Sequence, residues 1–189
     1  MNADRIEAYL KKNLSLKRYR HSVSTGNTAK ALCLHHGLNE NHGYIAGLCH
    51  DIGREIHENK MISLARKEYT LEEWEMAKPK LLHGKAGAVI LKRTFNIDST
   101  EILNAVAFHT LGHPLISPIG KVLYISDYIE PNRKYHSPSF YQQIFKQNLN
   151  EAFLSVLDVK INYIGKKEKN IAPPTMRLYE IVKENRCLN

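Results

Sequence analysis

The sequence predicts an all-α protein with one domain, and three observations carry that expectation. Apolar residues recur at three- and four-residue spacing through most of the chain, which is the period of a helix with one buried face. No segment sustains the apolar-polar alternation of a half-buried strand. Cap residues, glycines and prolines separate the periodic segments, and they end one helix and start the next. At 189 residues and 43% hydrophobic content, the chain suits a single core. We expect one domain over residues 1–189, with a core over about 16–133 and C-terminal helices over 138–187 packed on it.

Ile6, Tyr9 and Leu10 share one side of an opening helix over residues 3–12. Ser15 is placed to cap a second helix to about His36, with an imperfect stripe of Leu16, Tyr19, Val23, Ala29 and Cys33. Gly37 suits the position just past its end. Asn39 or Asn41 caps a third helix that carries Tyr44, Ile45, Leu48 and the pair His50-Asp51, ending at Ile52-Gly53. A short helix is expected over 60–68. Thr70 and Glu73 have capping-box spacing for a helix over 71–77, broken by Pro79. Leu82, Ala86, Val89 and Ile90 mark a helix to about Phe95, with His83 on the face of Gly87 and Ile90. Ser99 caps a helix through His109 that Gly112 and Pro114 close. Pro118 starts the helix of Val122, Leu123, Ile125 and Asp127, and Pro131 ends it. Three more helices follow. Phe153, Leu157, Ile161 and Ile164 stripe the middle one, Gly165 with Lys166-Lys167-Glu168-Lys169 reads as a loop, and Pro173-Pro174 opens the last, with Leu178, Ile181 and Val182.

Net charge is 27 − 19 = +8, with a pI near 9.3. Such a balance favours polyanionic partners such as nucleotides, nucleic acid or phosphorylated substrates. No apolar run approaches the ~18 residues of a membrane span, and Met1–Glu7 is too polar for a signal peptide. Cys33, Cys49 and Cys187 form no CxxC pattern and leave one unpaired. These features predict a protein of the reducing cytoplasm with no membrane partner. Cys49, beside His50, reads as a small buried apolar residue rather than a ligand.

The chemistry gathers around Leu48-Cys49-His50-Asp51-Ile52-Gly53. An adjacent His and Asp offer an imidazole and a hard carboxylate from one piece of backbone, a mixture suited to Fe, Mn, Zn or Mg-like ions. His21 upstream and Asp127 downstream complete a quartet of nitrogen and oxygen ligands from separate helices. Such a set fixes a divalent cation and leaves positions for water and phosphate. His83 and His109 admit three readings: a second metal site, hydrogen bonds to a phosphate beside a single metal, or plain helix-terminal histidines. Arg54, three residues beyond Asp51, is a candidate to offset phosphoryl charge, and Arg133 to fork onto a phosphate. Glu130 either orients Arg133 or meets solvent. Asn170-Ile171-Ala172-Pro173-Pro174-Thr175 is a rigid loop that either receives a nucleobase or simply starts the last helix.

The order His21, His50-Asp51, Asp127 resembles the HD-domain metal phosphohydrolases. His83-Gly84, His109-Thr110-Leu111-Gly112 and Asp127-Tyr128-Ile129-Glu130-Pro131-Asn132-Arg133 narrow that resemblance to the YqeK family, over roughly residues 15–180. Members of that family are symmetrical dinucleoside tetraphosphatases, which split diadenosine tetraphosphate into two ADP.

The resemblance implies one HD-type helical domain. It implies a divalent metal held by His21, His50, Asp51 and Asp127, iron ahead of manganese. One ion is implied, or two with Asp51 bridging to His83 and His109. Asp51 and Arg54 would act in catalysis. His83, His109, Thr110, Arg133 and the loop Asn170–Thr175 would bind substrate. Two positions depart from the family pattern, which often has Lys where this chain has Arg54 and Arg where it has His113. Arg keeps the charge of Lys but does not readily give up a proton. Two alternatives stand beside this expectation. One is another HD reaction, on a nucleoside monophosphate, a cyclic dinucleotide or guanosine tetraphosphate. The other is a non-enzymatic RNA- or ribosome-associated module, favoured only by charge. Oligomeric state stays open, with a homodimer as one outcome.

Overall fold

Short polar side chains set where most of the helices begin. The computed structural model of the chain describes residues 3–133, 137–167 and 170–187. Ser15 accepts from the Arg18 amide and opens α2 (Leu16–His35) after α1 (Ala3–Asn13). Asn39 caps α3 (Glu40–Cys49), and the His57 ring caps α4 (Glu58–Ala65). The next segments are α5 (Glu73–Ala77), a 3-10 turn (Pro79–Leu82) and α6 (His83–Phe95). Ser99, Ser117 and Ser137 cap α7 (Thr100–Phe108), α8 (Pro118–Ile129) and α9 (Pro138–Lys146). Then come α10 (Leu149–Lys167) and α11 (Pro173–Cys187). The fold is all-α, and no strand occurs among the described residues.

Three local expectations are corrected. The capping box is made by Glu72 and Glu75, not Thr70 and Glu73, because the chain stays extended to Glu72 before turning. Pro79 follows the end of α5 as expected and also opens a 3-10 turn. α10 continues through Gly165 to Lys167, whereas the sequence suggested a loop there; Glu168 and Lys169 lie outside the described residues. α3 stops at Cys49, so His50 caps it and Asp51 stands in the following turn. Gly37, by contrast, takes the left-handed conformation (φ 66°) expected just past α2, and the Leu38 amide bonds back to the Cys33 carbonyl.

α8 is the central rod, packed against α2, α3, α7 and α10. Its Val122, Leu123, Tyr124 and Ile125 are fully buried, and Tyr124 meets Phe153 of α10 edge-on at 5.2 Å. α2 and α3 cross most closely at Gly26 and Gly47. A Cβ on Gly47 would fall 2.7 Å from the Gly26 Cα and 2.8 Å from the Thr25 carbonyl oxygen. That approach lets the middle of α2 reach the end of α3, and it brings His21 beside His50. Cys33 and Cys49 are buried free thiols, and the side chain of Cys187 lies outside the described residues. No described helix is long and apolar enough to cross a membrane.

Candidate metal centre

Three of the four central histidines stand at helix or turn ends. His50 caps α3, His109 caps α7, and His83 joins the 3-10 turn to α6, each with right-handed helical backbone. At such ends the imidazole folds back over its own turn. His50 Nδ1 lies 2.7 Å from the Gly47 carbonyl, His83 Nδ1 2.7 Å from that of Lys80, and His109 Nδ1 2.7 Å from that of Val106. A carbonyl only accepts, so each Nδ1 carries the proton and each Nε2 presents a lone pair. His21, in mid-helix, reaches the same state differently: its Nδ1 is 3.0 Å from Glu130 Oε1.

All four Nε2 atoms converge on Asp51 and Asp127. His21 Nε2 is 3.1 Å from His50 Nε2 and 3.1 Å from Asp127 Oδ1. His83 Nε2 is 3.0 Å from His109 Nε2 and 3.2 Å from Asp51 Oδ1. The other Asp51 oxygen, Oδ2, faces His50 at 3.5 Å and His21 at 3.9 Å. Two groups of three donors result, His21-His50-Asp51 and Asp51-His83-His109, and Asp51 belongs to both. Facing lone pairs and carboxylates at about 3 Å repel one another unless a positive charge lies between them. The donor set therefore fits divalent cations, with nitrogen and oxygen ligands and no thiolate.

The titrations of Asp51, Asp127 and His109 run toward the metal-binding forms, and that of His21 runs toward the protonated ring. Burial opposes ionisation of Asp51, yet His50 and His83 hold its carboxyl well below the usual range. Asp127 is likewise depressed against burial, chiefly by His21 and then His50. Burial disfavours a charged His21, but its bonds to Asp127 and Glu130 outweigh that and raise its pKa. Burial, with His83 and His50 nearby, pushes His109 down to about 3, so it stays neutral and able to bind a metal.

Four cationic side chains line the same 230 Å³ pocket: Arg18, Arg54, Arg133 and Lys160. Arg18 Nη1 pairs with Asp51 Oδ2 at 2.8 Å. Arg133 Nη2 pairs with Asp127 Oδ1 at 2.6 Å, and its Nε reaches the Asp127 carbonyl at 3.1 Å. Arg54 Nη1 lies 3.0 Å from His83 Nδ1. Since that nitrogen's proton goes to Lys80, the guanidinium stands beside the ring rather than bonding to it. Thr110 Oγ1 is 3.3 Å from both His83 and His109 Nε2. Next to this pocket is a larger one of 830 Å³, lined by Trp74, Tyr124, Lys160, Asn170–Pro173 and Thr175. Thr175 donates to the Leu111 carbonyl at 2.8 Å, tying this loop to the turn after His109. Pro174 faces a neighbouring groove instead.

The structure thus brings His21, His50, Asp51, His83, His109 and Asp127 into one cluster, with Arg54, Thr110 and Arg133 at its mouth. Sequence reasoning missed Arg18, Lys160 and the contact of Glu130 with His21. Glu130 is 1% exposed, so of its two expected roles the solvent one falls, while its ion pair with Arg133 Nε at 3.8 Å stands beside its closer contact with His21. The missed signals were present. Arg18 precedes His21 by one helical turn, and Lys160 interrupts the apolar stripe between Leu157 and Ile164.

Residues 18–132 match the HD domain family. The chain belongs to the HD domain family. Curated relatives of this HD protein are similar over nearly all of its length. One from Halalkalibacterium halodurans is 30% identical over 95% of this chain and 96% of its own, and is named a symmetrical bis(5'-nucleosyl)-tetraphosphatase. Another of that name, from Bacillus subtilis, is 28% identical over the same shares. A crystal structure from Clostridium acetobutylicum, described as a predicted HD superfamily hydrolase involved in NAD metabolism, superposes with a TM-score of 0.91. It is 32% identical and each chain covers 98% of the other.

Proposed function

We propose that this HD protein hydrolyses dinucleoside tetraphosphates symmetrically, diadenosine tetraphosphate giving two ADP. The observation that carries the reading is Asp51, which belongs to two groups of donors within one cationic pocket, its Oδ2 facing His21 and His50 and its Oδ1 facing His83. The relatives' names supply the substrate.

His21, His50, Asp51 and Asp127 would hold one divalent cation, and Asp51, His83 and His109 a second. The imidazole and carboxylate donors, with no thiolate among them, suit iron or manganese. A divalent cation in this site supplies Lewis acidity toward the phosphoryl group and acidifies water.

The protein's own side chains bind and orient. Arg18, Arg54, Arg133 and Lys160 surround the phosphates and offset charge that builds on their oxygens during transfer. Thr110 Oγ1 is placed to hydrogen-bond a phosphate oxygen across His83 and His109. The leaving ADP departs as a weakly basic phosphate, so no proton need reach it. That explains why Arg serves at position 54, where proton transfer would demand a weaker base. The loop Asn170–Thr175 and Trp74 receive one nucleoside in the 830 Å³ pocket.

Hydrolysis of diadenosine tetraphosphate in oxygen-18 water by metal-loaded protein tests the reading. ADP as sole product, half of it labelled, is the expected result. AMP with ATP would overturn symmetrical cleavage.

A further inference from the structure

A second groove, of 430 Å³, lies across Thr110 and Leu111 from the large pocket. Its size falls within the ~300–1,000 Å³ usual for small-molecule sites. Trp74, Leu81, Thr110 and Leu111 line both cavities and form the ridge between them. Thr110 also lines the metal pocket, so both cavities open beside the reacting centre.

We propose that this groove binds the second nucleoside of the substrate, the purine of the ADP that leaves. The inference rests on the dinucleotide reading above, because only a substrate with two nucleosides needs two such sites.

The wall chemistry identifies the occupant. Tyr69 and Phe108 meet edge-on at 6.2 Å, and His113 lies tilted against Phe108 at 4.5 Å. Such a surface stacks a flat base. Glu68 and Glu72 also line it, exposed, the first paired with Lys92 and Arg93 and the second accepting from Trp74 Nε1. A carboxylate has about four lone-pair sites, so each still has room to accept from the exocyclic amine of a purine. The base therefore lies in the groove, and the phosphates run back over Thr110 to the cationic pocket. Lys85 also lines the groove but is paired with Glu75, so Arg177, exposed at the rim, is the cation placed toward the ribose and its first phosphate. His113 takes an aromatic role here, lying against Phe108 in the groove wall.

Calorimetric titration of metal-loaded protein with ADP, together with steady-state kinetics on diadenosine tetraphosphate, tests this. Two ADP per chain are expected. Tyr69→Ala and Arg177→Glu should each weaken one of the two by about tenfold or more and raise KM for the dinucleotide, with ADP still the product. Arg177 is exposed, so its variant reports even if Tyr69→Ala folds poorly. One ADP per chain in the unmodified protein, or two that Arg177→Glu leaves unchanged, would overturn the groove. Failure to form ADP from the dinucleotide would instead overturn the activity, and the ADP count would still decide whether the groove binds a nucleotide.

Discussion

Glu130 Oε1 lies 3.0 Å from His21 Nδ1, so one histidine of the cluster is backed by a carboxylate while His50, His83 and His109 are backed by carbonyls. A carboxylate behind an imidazole makes the far nitrogen a stronger donor and fixes its orientation. Glu130→Gln keeps the size of the side chain and an acceptor for the His21 proton, but removes the charge. We expect metal affinity to fall by about 10- to 100-fold, read by competition with a chelating dye. Equal affinity in the two proteins would show that Glu130 only fills space.

Replacing Asp51 removes a ligand from both groups of donors, whereas replacing His50 removes one from the first group alone. Elemental analysis should therefore find less metal in Asp51→Ala than in His50→Ala, with hydrolysis abolished in both and helical circular dichroism retained. Full metal content in Asp51→Ala would contradict the shared-carboxylate arrangement.

Arg133 pairs with Asp127 at the mouth of the cluster. Arg133→Ala should keep most of the metal yet lower kcat/KM by on the order of 10²-fold, the scale of losing one charged contact in the transition state. Wild-type kinetics would place its role in holding Asp127 alone.

Gly47 allows α2 and α3 to touch. Gly47→Ala forces a Cβ into the Gly26 backbone. The expected cost is about 1–3 kcal/mol in urea unfolding, accompanied by weaker metal binding because the His21–His50 distance opens. Lost stability with unaltered affinity would separate the crossing from the site.

Burial pushes the Cys49 thiol up to about 12, and burial with Glu101 pushes Cys33 up to about 11. The thiolate is the reactive form, so at pH 8 only about one part in 10³ to 10⁴ of each is reactive. Both should resist alkylation in the native protein and react after denaturation, as peptide mapping by mass spectrometry would reveal. Labelling of Cys49 under native conditions would mean that the base of α3 opens.

The helical class, the starts of α2, α3, α7 and α8, and the pairing of His50 with Asp51 were legible in the sequence. Each follows from local rules: periodicity, a capping serine or asparagine, and a proline at the first turn. The ligand set was legible through the order of its motifs rather than through any distance. Local rules also failed where the neighbourhood competed with them. A helix once formed propagates at little cost, so α10 runs on through the exposed Gly165 to Lys167 beyond its last buried residue, Ile161, and the Thr70–Glu73 signal lost to Glu72–Glu75 in the same few residues.

Only the tertiary fold decided which histidines face which oxygen of Asp51. Spacing along the chain allowed His83 and His109 to be ligands, phosphate contacts or helix ends. The turns at Lys80 and Val106 orient both Nε2 atoms toward Asp51. Glu130, Arg18 and Lys160 became meaningful for the same reason. They come from α8, α2 and α10, and a charged side chain acquires its role from what the packing of separate helices sets against it.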